Sequence, residues 1–150
     1  MCVWGGGARD IGTCVARAAA ASVALPLTAM NAAGRAAAEV AVSGLRVRGQ
    51  TNIWAGLEAA MDALRGGVAA AGRQQSVLLL TDGQPNVVPR GGVAGEDPHV
   101  TAMRRYAVAH GGFACTVRTF GFGYDLDSEL LLQVRARRPR RPERTVARGA

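Results

Sequence analysis

The sequence predicts a three-layer α/β sandwich, in which helices cover both faces of a mainly parallel sheet and an antiparallel hairpin forms one edge. The run Val77–Thr81 is apolar without alternation, which is typical of a strand buried on both faces. Segments with helical periodicity precede and follow this run. Two alternating runs near the start of the chain are joined by a short Ala-rich link, as in a hairpin. Strands separated by helices are expected in a parallel sheet.

The length and composition fit one globular domain, with 150 residues of which 49% are hydrophobic. The formal net charge is +7, and all 18 basic residues are Arg. Because Lys is absent, P-loop phosphate binding and Schiff-base chemistry are excluded. The three cysteines form no C-x-x-C pair, which indicates free thiols in a reducing compartment and hence a cytoplasmic location. No apolar run is long enough to predict a transmembrane helix.

The first elements are a flexible, Gly-rich N-terminus over Met1–Arg9 and two strands. The strands are predicted over Ile11–Ala16 and Ala21–Leu27, and Pro26 restricts the second one to an edge position. The Ala-rich segment Ala18–Met30, which follows Arg9 and Arg17, could also be part of a targeting peptide. The strand interpretation is favoured because the segment leads directly into a helix cap.

Two helices precede the buried strand. Asn31 is the expected N-cap of a helix over about Ala32–Arg46. One side of that helix is predicted to face the core, and it consists of Ala37, Val40, Ala41, Gly44 and Leu45. Thr51 and Asn52 open a second helix, which ends at Gly66-Gly67. The apolar positions of the second helix follow the 3.6-residue period more clearly, and they are Ile53, Leu57, Ala60, Met61 and Leu64.

A long loop, another helix, a strand and a short helix follow the buried strand. The loop Gln84–Glu96 is rich in Pro and Gly and long enough to suggest a function. Asp97 followed by Pro98 predicts the start of a helix that runs to about His110. The next strand is predicted over Ala114–Phe120. The last helix contains Leu130, Leu131 and Val134, and either Asp125 or Asp127 is its expected cap.

The segment from residue 135 to residue 150 differs in composition from the rest of the chain. It contains seven arginines and almost no large apolar side chains, so it is predicted to be a disordered tail after a domain over residues 10–134. Clustered arginines attract phosphate, which makes a nucleic-acid-binding tail one alternative. No aromatic residues are interleaved with the arginines to stack on bases, so a solvated coil is favoured.

Several motifs together resemble the von Willebrand factor A domain. They are Pro26-Leu27-Thr28, Thr51-Asn52-Ile53-x-x-Gly56-Leu57, Leu78-Leu79-Leu80-Thr81-Asp82-Gly83 and Thr119-Phe120-Gly121-Phe122-Gly123. The resemblance covers about Asp10 to Leu132 and implies a Rossmann-like sandwich. Compared with that family, the chain lacks the first strand and the final strand and helix. The strands Ile11–Ala16 and Val77–Thr81 are then expected to lack the neighbour that lies between them in the family.

The resemblance also implies a divalent-cation site. Members of the family bind Mg²⁺ at the carboxyl end of the sheet through three loops, and Thr51 and Asp82 correspond to the ligands from the second and third loops. The D-x-S-x-S motif of the first loop is absent, and Asp10-x-Gly12-x-Cys14 is its nearest equivalent. Cysteine is too soft a ligand to favour Mg²⁺. The sequence therefore predicts weak or no Mg²⁺ binding by this chain.

The leading functional hypothesis is a non-enzymatic domain that binds a protein partner, with a metal ion bridging to an acidic residue of the partner if metal is bound. The expected surface comprises Gln50–Asn52, Asp82–Gly95 and Gly121–Asp125. One alternative is an incomplete domain without an active site. Another is a hydrolase or phosphotransferase that uses Asp82 as nucleophile or metal ligand. The absence of G-x-S-x-G, H-E-x-x-H and Walker motifs argues against an enzyme.

Overall fold

The computed structural model describes residues 10–17, 20–45, 50–66 and 75–135, with side chains from residue 21 onward. The predicted flexible N-terminus at residues 1–9 and the tail beyond residue 135 lie outside this part of the chain. Within it, the chain is a mixed α/β protein, and each of the predicted strands and helices is present. The elements are β1 Asp10–Arg17, β2 Ala20–Ala29, α1 Ala32–Ser43, α2 Ile53–Gly66, β3 Ser76–Thr81, α3 Pro98–Ala109, β4 Thr116–Gly121 and α4 Ser128–Gln133.

The strands form two separate pairs in the described part of the chain. β1 and β2 are antiparallel, with Asp10 opposite Ala29, which confirms the predicted hairpin. β3 and β4 are parallel, with Ser76 opposite Thr116. β1 and β3 are not hydrogen-bonded neighbours among these residues. A small parallel sheet is therefore present, whereas one larger sheet in a three-layer sandwich is not confirmed.

The helices begin where the capping residues predict. The Asn31 side chain accepts a 2.9 Å hydrogen bond from the N–H of Gly34 at the start of α1. Oδ1 of Asp97 accepts a 2.7 Å bond from the N–H of His99 at the start of α3. Oδ1 of Asp127, rather than Asp125, accepts a 2.8 Å bond from the N–H of Leu130. Each cap satisfies a backbone donor that has no partner within the first turn of its helix.

The hydrophobic core lies on one face of the parallel pair. Val77 and Leu79 of β3 and Val117 of β4 point into it and are fully buried. Helices α2, α3 and α4 supply the other side, chiefly through Leu57, Met61, Met103, Tyr106, Leu130 and Leu131. α2 also packs against both strands of the hairpin. This helix therefore connects the two strand pairs.

Two predictions about burial are wrong. The opposite face of the parallel pair is open, so the β3 strand is not buried on both faces: the exposed fraction is 39% for Leu80 and 46% for Phe120. The predicted core face of α1 is also incorrect, because Val40 is 74% exposed. α1 instead contacts β2 and places the hydrogen-only side chain of Gly34 against the backbone of Ala29. No helix in the described ranges is long and apolar enough to cross a membrane.

Candidate functional site

The loops that follow β3 and β4 lie side by side. In the parallel register Thr81 is opposite Gly121, and the N–H of Phe122 donates a 2.9 Å hydrogen bond to the carbonyl of Thr81. Further out, Nε2 of Gln84 donates a 3.0 Å bond to Oδ1 of Asp125. The carboxyl ends of parallel strands are where ligands bind in open α/β sheets. This edge is therefore the candidate site.

The start of α2 joins the same edge through a reciprocal pair of hydrogen bonds. The N–H of Thr51 donates a 2.7 Å bond to Oδ1 of Asn86, and the N–H of Asn86 donates a 3.2 Å bond to the carbonyl of Thr51. Oδ1 of Asn52 accepts a 2.9 Å bond from the N–H of Ala55 and caps α2. We call residues 51–52, 82–86 and 122–125 the carboxyl-edge loops.

The predicted site residues Thr51 and Asp82 thus lie on loops that are in direct contact. Asp82 follows β3 immediately, and its side chain is exposed. The turn beyond it is shaped by Thr81, whose hydroxyl donates a 3.0 Å bond to the carbonyl of Gly83 and accepts a 3.4 Å bond from the N–H of Gly83. Because the hydroxyl of Thr81 bonds the backbone of Gly83, this residue orients the turn.

The donor set at this edge does not fit Mg²⁺ as a built site. Mg²⁺ requires about six oxygen ligands in an octahedron. Thr51 and Asp82 offer one hydroxyl and one carboxylate, and the carboxylate of Asp125 already accepts a bond from Gln84. No cluster of three or more His, Cys, Asp or Glu residues that could hold a metal ion occurs among the residues that the structure describes. The side chains of Asp10 and Cys14 lie outside that part of the structure.

Two exposed aromatic residues are the most prominent feature of the edge, and the expected surface included their loop, Gly121–Asp125, without distinguishing either side chain. Phe122 is 56% exposed, and Tyr124 is fully exposed. Gly123 between them has a φ of +100°, a left-handed conformation that favours glycine. The alternation of Phe120, Phe122 and Tyr124 with glycines just beyond a strand is the signal from which they could have been found.

The rest of the long loop after β3 is attached to α3. The Arg105 guanidinium donates a 3.1 Å bond to the carbonyl of Arg90. Gly91, with a φ of +78°, lies so close to Arg105 that a Cβ there would come within 2.7 Å of the guanidinium nitrogens. The carboxylate of Glu96 accepts a 2.9 Å bond from the Thr101 hydroxyl and a 3.1 Å bond from Arg104. These contacts hold the outer part of the loop against α3.

Neither histidine belongs to the carboxyl-edge loops. His99 is buried in α3, with its Nδ1 at 3.2 Å from Oδ1 of Asp97, and its Nε2 has no hydrogen-bond partner among the residues that the structure describes. The ring of His110 packs on that of Tyr106, with the centroids 4.3 Å apart. Both positions are consistent with structural roles at the ends of α3.

The chain matches no model of a known protein family, no curated protein and no solved structure. The resemblance to the von Willebrand factor A domain, and the roles that it implies for Thr51 and Asp82, therefore stay predictions.

Proposed function

We propose that the chain is a non-enzymatic, protein-binding domain of the von Willebrand factor A type, and that its partner binds at the carboxyl-edge loops. The observation that carries this proposal is the exposed pair of Phe122 and Tyr124 on a loop that is attached at both ends. Large aromatic side chains contribute much of the energy of protein interfaces, and they are rarely left in water without a function when several lie together.

The attachment of the aromatic loop supports binding because it reduces the entropy lost when a partner docks. The bond from Phe122 to Thr81 fixes the first end of the loop, and the bond from Gln84 to Asp125 fixes the second. A loop that is held in one conformation before binding loses less conformational entropy when a partner binds. The two aromatic rings are thus presented by a preformed edge.

Polar groups lie beside Phe122 and Tyr124, and they would surround the contact that these two rings make with the partner. The carboxylate of Asp82 and the carboxyl and amide groups of Asp125 and Gln84 are exposed on the same edge. Interfaces commonly have an apolar centre and a polar rim. We propose direct contacts with the partner, because a metal bridge to an acidic residue would need more oxygen ligands than Thr51 and Asp82 supply.

The proposal includes a three-layer sandwich for the complete fold. Its support is the position of α2, which packs on both strands of the hairpin and on β3. A strand between β1 and β3 would join the two pairs into one sheet under this helix.

The test compares a double variant, Phe122→Ser with Tyr124→Ser, with a control variant on another surface. Val108→Ser suits the control because Val108 is 80% exposed on α3. Proteins retained by the immobilised wild-type chain would be purified, and their affinities measured by calorimetry. We expect the double variant to bind at least about tenfold more weakly, since each truncated anchor costs about 1–2 kcal/mol, and the control to bind normally. Equal affinity of the double variant and the wild type would overturn the proposed surface.

The enzymatic alternative is tested separately with phosphate monoester and carboxylic ester substrates. We expect no turnover above that of a heat-denatured sample. Turnover that disappears in the Asp82→Asn variant would show that the protein is an enzyme and would overturn the proposed function.

A further inference from the structure

The part of the chain that the structure describes has two open surfaces that are largely apolar, and neither includes a residue of the carboxyl-edge loops. The first is the uncovered face of the parallel pair, which we call the open sheet face and which consists of Leu78, Leu80, Arg118 and Phe120. In the parallel register Leu78 lies opposite Arg118 and Leu80 lies opposite Phe120. Parallel strands are normally covered on both faces. An open face with adjacent Leu and Phe side chains therefore indicates a surface that another element covers.

The second surface lies on α1, which we call the α1 outer strip: Ala33, Ala36, Ala37 and Val40. These residues are spaced i, i+3, i+4 and i+7, so they share one side of the helix. All four are exposed, whereas Gly34 is the residue that α1 buries against the hairpin. Such a stripe normally faces a core. Glu39 is exposed at the margin of the α1 outer strip.

The two surfaces complement each other in size and charge. The α1 outer strip consists of three alanines and one valine, whereas the open sheet face carries the bulkier Leu80 and Phe120. Small side chains let a helix approach closely to a sheet whose own side chains are large. The negative charge of Glu39 lies beside the α1 outer strip, and the open sheet face includes the positive charge of Arg118. Neither charge forms an ion pair with a described residue.

We propose that the α1 outer strip of one copy of this chain covers the open sheet face of a second copy, in a twofold-symmetric dimer in which Glu39 of each copy pairs with Arg118 of the other. A twofold arrangement makes the contact twice and closes the assembly. The second contact is required because stable interfaces bury about 1,200–2,000 Å², more than one short helix on two strands provides. The net charge of +7 on each copy opposes association at low salt, but added salt screens this repulsion beyond about 8–10 Å.

The oligomeric state of the full chain, measured by sedimentation velocity over a range of concentrations, tests the dimer. We expect the wild type to dimerise and Val40→Asp to be monomeric. Val108→Asp is the matched control, because both valines are exposed near the C-terminal end of a 12-residue helix. Val and Asp have similar helix propensities, so both variants should fold, and circular dichroism checks that they do. A monomeric wild type at every concentration, or a dimer that Val40→Asp leaves intact, would overturn the proposal.

Charge reversal tests the orientation of the two copies. Glu39→Arg and Arg118→Glu should each weaken the dimer several-fold, because each brings like charges together. The double variant should regain most of the affinity, since it restores opposite charges at each contact. If the double variant loses as much dimer affinity as the two single variants lose together, Glu39 does not pair with Arg118. The variants at Glu39, Val40 and Arg118 leave Phe122 and Tyr124 unchanged, so this inference and the proposed partner-binding function can fail separately.

Discussion

The hydroxyl of Tyr106 on α3 donates a 2.7 Å hydrogen bond to Oδ1 of Asp62 on α2. The Arg65 guanidinium lies over the ring of Tyr106, 5.5 Å from its centroid, and the Trp54 ring meets the same ring edge-on at 6.2 Å. Tyr106 is itself buried in the core. This one residue therefore fixes α3 against α2, the helix whose start carries Thr51 and Asn52 at the carboxyl edge.

Replacing Tyr106 with Phe keeps the ring and removes both hydrogen bonds of the hydroxyl, the one donated to Asp62 and a 3.4 Å bond accepted from Nε of Arg65. We expect the free energy of unfolding to fall by about 1 kcal/mol, since Asp62 is exposed and regains water as a partner. Urea denaturation at neutral pH measures the change. Tyr124→Phe is the control, because Tyr124 is fully exposed, and it should leave stability unchanged. Equal losses in the two variants would show that the Tyr106 hydroxyl contributes nothing specific.

The same bond has a pH dependence whose sign follows from the ionisation of the phenol. Burial, assisted by Asp62 and opposed by Arg65, raises the pKa of Tyr106 above its usual value. The native state therefore holds this proton more tightly than the unfolded state, whose pKa is about 10. Stability from the neutral hydroxyl is present below pH 10 and is lost as the pH rises through the native pKa. The advantage of the wild type over Tyr106→Phe should therefore shrink above pH 10.

Gly34 is the position at which α1 approaches the hairpin most closely. A Cβ at this position would collide with the backbone carbonyl of Ala29, and backbone cannot move aside as a flexible side chain can. We expect Gly34→Ala to destabilise the protein by about 1–3 kcal/mol. Gly66→Ala is a control with the opposite sign, because Gly66 has open space around it and no left-handed φ. It should raise stability by about 0.4–1 kcal/mol.

Thermal unfolding of both glycine variants gives the comparison directly. A Gly34→Ala variant as stable as the wild type would mean that α1 does not pack closely on β2. That outcome would also change the expected position of the α1 outer strip.

Glu58 lies on α2 one turn before Asp62, where two carboxylates repel each other. Burial raises the pKa of Glu58 above its usual value, and the charge of Asp62 adds to this effect. His110 acts in the opposite direction but does not cancel the shift. The native state thus favours the protonated form, and this contribution to stability is lost as the pH rises through the native pKa. At neutral pH, Glu58→Gln should therefore raise stability by about 0.2–0.5 kcal/mol, the size of an i, i+4 charge pair.

Urea denaturation at neutral pH and near pH 3.5 tests the sign for Glu58. The gain in the Gln variant should vanish at the lower pH, because Glu58 is then protonated in the native and unfolded states alike. Glu129→Gln is the control, since Glu129 lies in the first turn of α4, where a negative charge is favourable. A gain from Glu129→Gln as large as that from Glu58→Gln would contradict the explanation.

The features that could be predicted from sequence are those that a few neighbouring residues determine. Asn31 and Asp97 cap helices as expected, because a capping side chain bonds the backbone only two or three positions away. The prediction of the core face of α2 is confirmed, because Leu57 and Met61 contrast clearly with the polar residues on the other side of that helix. Local chemistry was sufficient in these cases.

The errors lie where burial depends on distant parts of the chain. α1 is so rich in alanine that its two sides differ little, and the choice of Val40 as a core residue had no strong contrast behind it. The exposure of Leu80 depends on whether another element covers its face of the sheet, which no neighbouring residue determines. At the candidate site, the proximity of the loops containing Thr51 and Asp82 was expected from the family resemblance, whereas their link through Asn86 was not.

The prediction of weak or absent Mg²⁺ binding can be tested through stability. A ligand present at about one hundred times its dissociation constant stabilises the native state by about 2.7 kcal/mol. A site of about 10 µM affinity in about 1 mM Mg²⁺ would thus raise the melting temperature of a chain of this size by roughly 5–10 °C. We expect a shift below about 1 °C, equal to that in NaCl of the same ionic strength, because Thr51 and Asp82 supply too few oxygen ligands. Asp82→Asn should respond as the wild type does, and a Mg²⁺-specific shift that this substitution removes would show that a working metal site exists at the carboxyl edge.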